Sequence, residues 1–89
     1  MKNDVIQAID RIGHMEQCFD ALRYAVKYEL WTDLAKDYIL QLKKYYESGE
    51  WLKDYELDEK GLLPKDLKRG VLSQDAVYDL LEKIDKFKE

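Results

Sequence analysis

Apolar residues in the first part of the chain recur at steps of three and four, which is the spacing of one face of an α-helix. Asn3 precedes the first run, and its side-chain oxygen can cap a helix that begins at Asp4. Gly13 lies inside the run, where it costs about 1 kcal/mol relative to alanine and marks either a close helix contact or a tolerated defect. The predicted buried face comprises Val5, Ile9, Ile12, Met15, Phe19, Leu22 and Val26.

A second run of the same spacing begins after Thr32, which suits a helix cap, and Gly49 suits the left-handed position after its end. No Gly or Pro separates the two runs, so residues 4–47 form either a helical hairpin or one long kinked helix. We favour a break at residues 29–32, because one helix of that length could not bury its apolar face in so short a chain without a dimer partner. The second predicted face comprises Leu34, Tyr38, Leu42 and Tyr45, with Ile39 and Tyr46 beside it.

The single proline and three of the four glycines lie in the centre of the chain, where they predict a loop with short helices. Gly61 ends a helix or turn over residues 50–59. Pro64 suits the first turn of a further short helix over residues 65–69, and Gly70 suits the position just after its end.

A last helix is predicted from Gln74 onward. Ser73 is the clearest helix cap in the sequence, and Leu72 and Val77 have the spacing of a hydrophobic staple across it. The predicted buried face comprises Val77, Leu80, Leu81, Ile84 and Phe87.

These elements together predict an all-α fold with about three to five helices. The length suits one compact domain, residues 1–89. We divide it into a helical hairpin (1–48), a loop with short helices (49–73) and a closing C-terminal helix (74–89).

The segment from Tyr45 to Leu81 resembles the signature of a family of small bacterial and phage proteins, the domain of unknown function 4298. The resemblance implies a helical protein of similar size, and it implies no catalytic activity, since none is established for the family. The chain departs from the family in lacking the proline often seen before the signature and in having Gln74 where an acidic residue is expected. The segment includes Gly49-Glu50-Trp51-Leu52-Lys53-Asp54-Tyr55 and Lys68-Arg69-Gly70-Val71-Leu72-Ser73.

Net charge and cysteine content limit the kinds of partner that the protein is expected to bind and the cell compartment in which it is expected. Fifteen basic and nineteen acidic residues give a net charge of -4, which argues against direct nucleic-acid binding and against docking on anionic membranes, but permits binding to a basic protein surface. A single cysteine, Cys18, allows no internal disulfide. No signal peptide or membrane-spanning stretch is visible, so we expect a cytoplasmic protein.

Two groups of residues could carry metal chemistry. His14 and Cys18 share a helix face, but zinc normally takes three or four such ligands, so we interpret them as a paired surface histidine and a half-buried cysteine. Alternating acids from Asp54 to Glu59 are weakly similar to a calcium loop whose glycine and distal glutamate are missing. We therefore predict no metal, no cofactor and no catalytic residue, and hence a protein that is not an enzyme.

The central segment is the predicted partner site. Its acidic part, Asp54 to Glu59, either pairs with the basic residues after Gly61 or forms a two-signed docking patch with them. Its aromatic residues either fill the core or act as interface hot spots. The candidate partner-binding residues are Trp51, Asp54, Tyr55, Glu56, Asp58, Glu59, Lys65, Lys68 and Arg69.

The sequence leaves several functions open. The first is a non-enzymatic module that binds another protein. The alternative is a phage or mobile-element inhibitor of a host defence nuclease that acts as an acidic mimic of nucleic acid, and a third is a metal-dependent enzyme or sensor. A homodimer formed through the N-terminal helices is a further alternative, since an exposed apolar face on the first helix could pair two chains.

Overall fold

Four α-helices and one 3₁₀ turn make up the protein. The computed structural model describes the backbone of residues 2–88 and the side chains of residues 3–86. The elements are α1 (Lys2–Lys27), α2 (Asp33–Glu47), α3 (Glu50–Glu59), the 3₁₀ turn (Gly70–Leu72) and α4 (Gln74–Lys88). Residues 2–88 contain no strand, which confirms the all-α prediction.

The long helix α1 is the element on which the others are assembled. Its 26 residues span about 39 Å at 1.5 Å per residue, close to the 43 Å length of the molecule. The other three helices and the 3₁₀ turn all pack against it. Its predicted apolar face is largely buried within the chain. The predicted cap at Asn3 is wrong, because α1 already includes Lys2.

The turn between α1 and α2 shows that residues 4–47 form two helices. Glu29 adopts a left-handed conformation (φ 54°), although it is not a glycine. The N–H of Leu30 donates to the carbonyl of Ala25 at 2.8 Å and the N–H of Glu29 to that of Val26 at 3.4 Å, the two bonds of a Schellman motif. Thr32 caps α2 as predicted, since its Oγ1 accepts the Ala35 N–H at 3.1 Å.

The buried face of α2 is one position away from the prediction at its start. Leu34 is exposed, and the small Ala35 is buried in its place. Ile39, Leu42 and Tyr45 continue this face at three- and four-residue steps. The pattern was ambiguous there, because Leu34 and Ala35 are both apolar and only tertiary packing distinguishes them.

Two central glycines have the predicted role and the third does not. Gly49 (φ 87°) and Gly61 (φ 71°) are left-handed and follow α2 and α3. Residues 65–69 form turns instead of the predicted helix, and Gly70 begins the 3₁₀ turn. Space at Gly70 is tight, because a Cβ there would lie 3.3 Å from a carboxylate oxygen of Glu16.

The predicted start of α4 is confirmed. The Oγ of Ser73 accepts the Ala76 N–H at 3.4 Å, and both residues of the predicted staple, Leu72 and Val77, are buried. Phe87 belongs to the predicted buried face, but its side chain lies outside the described residues. The buried core comprises Ala8, Ile12, Met15, Cys18, Phe19, Leu22, Ala25, Ala35, Ile39, Leu42, Tyr45, Leu63, Val71, Leu72, Val77, Leu80 and Ile84.

No helix within residues 2–88 has the length and apolar character needed to cross a membrane.

Candidate functional site

Side chains from three helices bind the peptide groups of one residue, Val71, in the 3₁₀ turn. Glu16 of α1, which is buried, accepts the Val71 N–H at 2.6 Å. The Val71 carbonyl accepts the Tyr46 hydroxyl from α2 and, at 3.1 Å, the Trp51 indole N–H from α3. We call this arrangement the Val71 clamp. It fixes the start of α4 relative to α1, α2 and α3.

A second polar cluster lies inside the molecule around Asp54, one of the predicted partner-binding residues. Asp54 has no exposed surface. It accepts the Tyr45 hydroxyl at 2.7 Å and the Arg11 Nε at 2.9 Å, together with the Arg11 Nη2. Burial and the bond to Asp54 raise the pKa of Tyr45, and the same carboxylate raises the pKa of Arg11. Asp54 therefore joins α1, α2 and α3, and it cannot touch a partner.

Two of the basic residues after Gly61, Lys68 and Arg69, are held by acids of the same chain. Arg69 pairs with Asp58, as the sequence suggested for charges on either side of Gly61. Lys68 pairs instead with Asp20 of α1, with 2.7 Å between Nζ and Oδ2, and this bond raises the pKa of Lys68. Arg69 also donates to the backbone carbonyls of residues 64 and 67. These contacts secure the loop, so Asp58, Lys68 and Arg69 have structural roles.

An aromatic row leads from the core to the surface. The ring centroids of Tyr45 and Tyr46 lie 5.7 Å apart, those of Tyr46 and Trp51 5.2 Å, and those of Trp51 and Tyr55 5.2 Å. Tyr45 is buried, Tyr46 and Trp51 are half-buried, and Tyr55 is exposed. The row therefore fills the core at one end and reaches solvent at the other, and only its outer end is accessible to a partner.

At its outer end the row borders an open groove of about 410 Å³ between α3 and the start of α4. Leu52 (51% exposed) and Tyr55 (37%) flank it on α3, and Tyr78 (56%) lies one turn along α4, where its hydroxyl accepts Gln74 Nε2 at 3.3 Å. We call this surface the α3–α4 face. It comprises Trp51, Leu52, Tyr55, Leu72, Ser73, Gln74, Asp75 and Tyr78.

The sequence analysis placed two of its site residues on this face and missed others. Trp51 and Tyr55 belong to it, and the predicted Glu56 and Glu59 are exposed on the same helix. Lys65 is exposed in the loop. Leu52, Asp75 and Tyr78 were missed as site residues, although an aromatic residue on the polar side of the α4 pattern was a readable signal for Tyr78.

The surroundings of His14 and Cys18 fit a structural role for both residues. His14 is exposed, and its Nε2 lies 2.6 Å from Oε1 of Gln41. Cys18 is fully buried, not half-buried as predicted, and burial raises the pKa of its thiol. A buried thiol with a raised pKa is a poor nucleophile. In the described part of the chain, no three His, Cys, Asp or Glu side chains are grouped so that they could hold a metal ion.

The fold and this site define a small all-α domain whose last helix is fixed by a clamped central turn. Residues 12–88 match the family model described as Domain of unknown function (DUF4298), and the chain belongs to that family. The resemblance at Tyr45–Leu81 is thereby confirmed and extended toward the N-terminus. Neither the comparison with curated proteins nor the one with solved structures finds a match.

Proposed function

We propose that this protein is a non-enzymatic interaction module that binds another protein through the α3–α4 face. The observation that carries the proposal is that the exposed Leu52 and Tyr55 line one groove, with the exposed Tyr78 bonded to Gln74 of its other wall. Single exposed apolar residues are normal on a protein surface, whereas a contiguous group marks an interaction site. Large aromatic side chains are also the ones that contribute most to binding at interfaces.

The walls of the groove are rigid, which supports this proposal. Trp51 is held by its bond to the Val71 carbonyl and by stacking between Tyr46 and Tyr55. Leu72, on the other wall, is buried next to the clamped residue. A surface that is already ordered loses little conformational freedom when a partner binds, so more of the contact energy appears as affinity.

Other concave surfaces are less suited to a protein partner. A groove of about 510 Å³ lies between α1 and the loop at residues 64–68, but the ion pair between Lys68 and Asp20 joins its two sides. A smaller pocket of about 160 Å³ lies at the α1–α2 turn, beside the exposed Tyr24 and Leu34. The α3–α4 face combines an open groove, exposed aromatic side chains and walls that are held by the Val71 clamp.

The test is partner capture with matched surface variants. We expect Leu52→Ser/Tyr78→Ser to lower recovery of a cross-linked partner by at least about tenfold, since two central apolar contacts are worth roughly 2 kcal/mol or more. Leu40→Ser is the control, because Leu40 is 66% exposed on α2, away from the face. Circular dichroism and thermal melts check that each variant is folded. Recovery of the same partners by the wild type and by the double variant would refute the proposal.

A second candidate is the acidic inhibitor of a host defence nuclease. The observation that favours it is the charge of α3, whose ten residues contain five acids and one lysine. Asp54 and Asp58 are neutralised by arginines, but Glu56 and Glu59 are exposed. Inhibition of a candidate nuclease should weaken as salt rises and should be reduced by Glu56→Gln/Glu59→Gln, because mimicry of a phosphate backbone is electrostatic. Salt-independent inhibition would exclude mimicry.

A further inference from the structure

Carboxylates border the apolar centre of the α3–α4 face. Glu59 lies four residues after the exposed Tyr55 and so stands beside it on the same side of α3, whereas Glu56 lines a separate groove toward α1 with Lys53 and Lys60. Hydrogen bonding to Glu59 raises the pKa of the Tyr55 hydroxyl, as expected for a carboxylate one helical turn away. Apolar and acidic side chains therefore lie next to each other on one side of α3.

The α4 side of the groove carries the same charge. Asp75 lines the groove directly, and Asp79 follows one turn later, also exposed. Among the described residues that line the groove, from Trp51 and Leu52 on one wall to Asp75 on the other, there is no lysine or arginine. A partner in the groove would thus meet negative charge on both sides.

The basic side chains around α3 lie away from this groove. Lys53 and Lys60 line the separate groove toward α1. Arg11 binds the buried Asp54 from the α1 side, and Arg69 binds Asp58. Lys68 is bound to Asp20 on α1. Exposed lysines at positions 36, 43 and 44 lie on α2. Among the described residues that line the groove, Asp75 therefore has no basic neighbour to pair with.

From this charge distribution we propose that the occupant of the α3–α4 face is a cationic amphipathic segment of the partner protein. Its apolar side chains contact Leu52, Tyr55 and Tyr78, while its lysines and arginines pair with the carboxylates of the acidic rim. The rim comprises Glu59, Asp75 and Asp79. The inference rests on the proposed interaction function and specifies the chemistry of the partner. An acidic or anionic partner is disfavoured, because like charges facing each other across an interface cost several kcal/mol.

Labelled peptides of about 18 residues, or five helical turns, provide a direct test by fluorescence anisotropy. One probe has a leucine face and a lysine face, the second has the same composition in scrambled order, and the third replaces every lysine with glutamate. We expect only the first to bind, with an affinity that falls at least about tenfold between low and high salt because the rim charges are screened. Leu52→Ser should remove the binding, whereas Leu40→Ser should leave it unchanged.

Charge variants separate the rim from the rest of the surface. Glu59→Gln/Asp75→Asn should weaken binding of the leucine–lysine peptide about five- to tenfold, since each lost ion pair is worth up to about 1 kcal/mol. Asp33→Asn/Glu47→Gln, which changes two exposed acids at the ends of α2, is the matched control and should have no effect. Equal binding of the glutamate peptide, or equal losses in both charge variants, would overturn the inference.

The same variants distinguish failure of this inference from failure of the proposed function. If partner capture is lost with Leu52→Ser/Tyr78→Ser but is unaffected by Glu59→Gln/Asp75→Asn and by salt, the face binds a protein of different chemistry. If capture survives both double variants, the face is not the interaction site at all. Self-association in sedimentation experiments that disappears with Leu52→Ser would identify a second copy as the occupant and would also overturn the inference.

Discussion

Asp54 illustrates how a single residue can look functional in the sequence and be structural in the molecule. It lies in an acidic stretch of α3, yet it is the one acid of that helix without exposed surface. Burying a carboxylate is costly unless its charge is paired and its oxygens accept hydrogen bonds. Arg11 and Tyr45 meet both conditions. The cluster therefore fixes the relative position of three helices through one side chain.

Removing Arg11 should be far more damaging than its partial exposure suggests. We expect Arg11→Met to lower the free energy of unfolding by about 3–5 kcal/mol, because the Asp54 carboxylate would stay buried without its counter-charge. The triple variant Arg11→Met/Asp54→Leu/Tyr45→Phe should recover most of that loss, since no polar group is then left unpaired. Urea denaturation gives both values.

A control separates the buried pair from a surface pair of the same arginine. Glu50 lies 3.7 Å from the Arg11 Nη1 and is exposed. Glu50→Gln should therefore change the unfolding free energy by less than about 1 kcal/mol. A triple variant as unstable as Arg11→Met would contradict the argument from unpaired charge.

Helix ends show where local chemistry determines an element and where it does not. Thr32 and Ser73 cap their helices with their own side chains, and Gly49 takes the left-handed conformation after α2. The end of α1 uses the same Schellman bonds as the end of α3, but a glutamate, Glu29, occupies the position that Gly61 fills in the other. A residue with a Cβ is strained in the left-handed region, so this turn is less stable than it would be with glycine at position 29.

Glycine at position 29 should relieve that strain. We expect Glu29→Gly to raise the free energy of unfolding by about 0.5–1 kcal/mol, the cost of the left-handed conformation minus the extra chain entropy of glycine. Glu29→Ala, which keeps a Cβ, should give no such gain. Thermal melts of the three proteins would show the difference, and equal midpoints for the glycine and alanine variants would contradict the prediction.

Two glycines should respond in opposite ways to alanine. At Gly13, in the middle of α1, an added Cβ would meet no atom within 4 Å, so Gly13→Ala should stabilise the protein by about 0.5–1 kcal/mol. At Gly70 the Cβ would lie 3.3 Å from Glu16 and 3.4 Å from Phe19, so Gly70→Ala should destabilise it by about 1–3 kcal/mol. Chemical denaturation of both variants tests this contrast, which fails if the two changes have the same sign.

The stability of the whole protein depends on tyrosine hydroxyl groups that are buried in their neutral, protonated form. Burial is the main cause that raises the pKa of both Tyr45 and Tyr46 above the ordinary value near 10. Below that pH both the folded and the unfolded chain keep these protons, so the full stability is present. Above it the unfolded chain loses them first, and stability falls as pH rises toward the folded-state pKa.

The alkaline loss of stability should be traceable to individual tyrosines. Each buried tyrosine should contribute up to about 1.4 kcal/mol per pH unit above roughly pH 10. Tyr46→Phe should cost about 1 kcal/mol at neutral pH, through its lost bond to Val71, and should make the alkaline decline shallower. Urea denaturation between pH 8 and 11 measures both effects, with Tyr24→Phe at an exposed ring as control. An unchanged alkaline slope in Tyr46→Phe would refute the assignment.

Much of the fold was predictable, because helix periodicity and capping depend on neighbours in sequence. Thr32, Gly61 and Ser73 could be assigned on that basis. Gly70 was misassigned as a helix end, since its role depends on Glu16 in α1, which no local pattern reveals. Leu34 was misassigned for the same reason, as packing alone decides that its neighbour is buried.

The candidate site was less predictable than the fold. Trp51 and Tyr55 could be selected because aromatic residues are frequent at interfaces. Asp54 was indistinguishable from the exposed acids of α3, since its burial depends on Arg11, 43 residues earlier. Tyr78 stood out in the sequence only as an aromatic residue on the polar side of the α4 pattern, and the structure was needed to place it near the groove. Sequence patterns identify residue types suited to an interface, and tertiary structure decides which of them share a surface.

The Val71 clamp also has a consequence for how the chain is made. Glu16 and Val71 are 55 residues apart, so the partner of this carboxylate is synthesised well after Glu16 itself. Without Val71 the Glu16 carboxylate lacks its backbone donor, which disfavours its burial in a partly folded chain. We expect folding to be completed only when the last third of the sequence is available, so chains truncated before Gly70 should be readily cleaved by proteases.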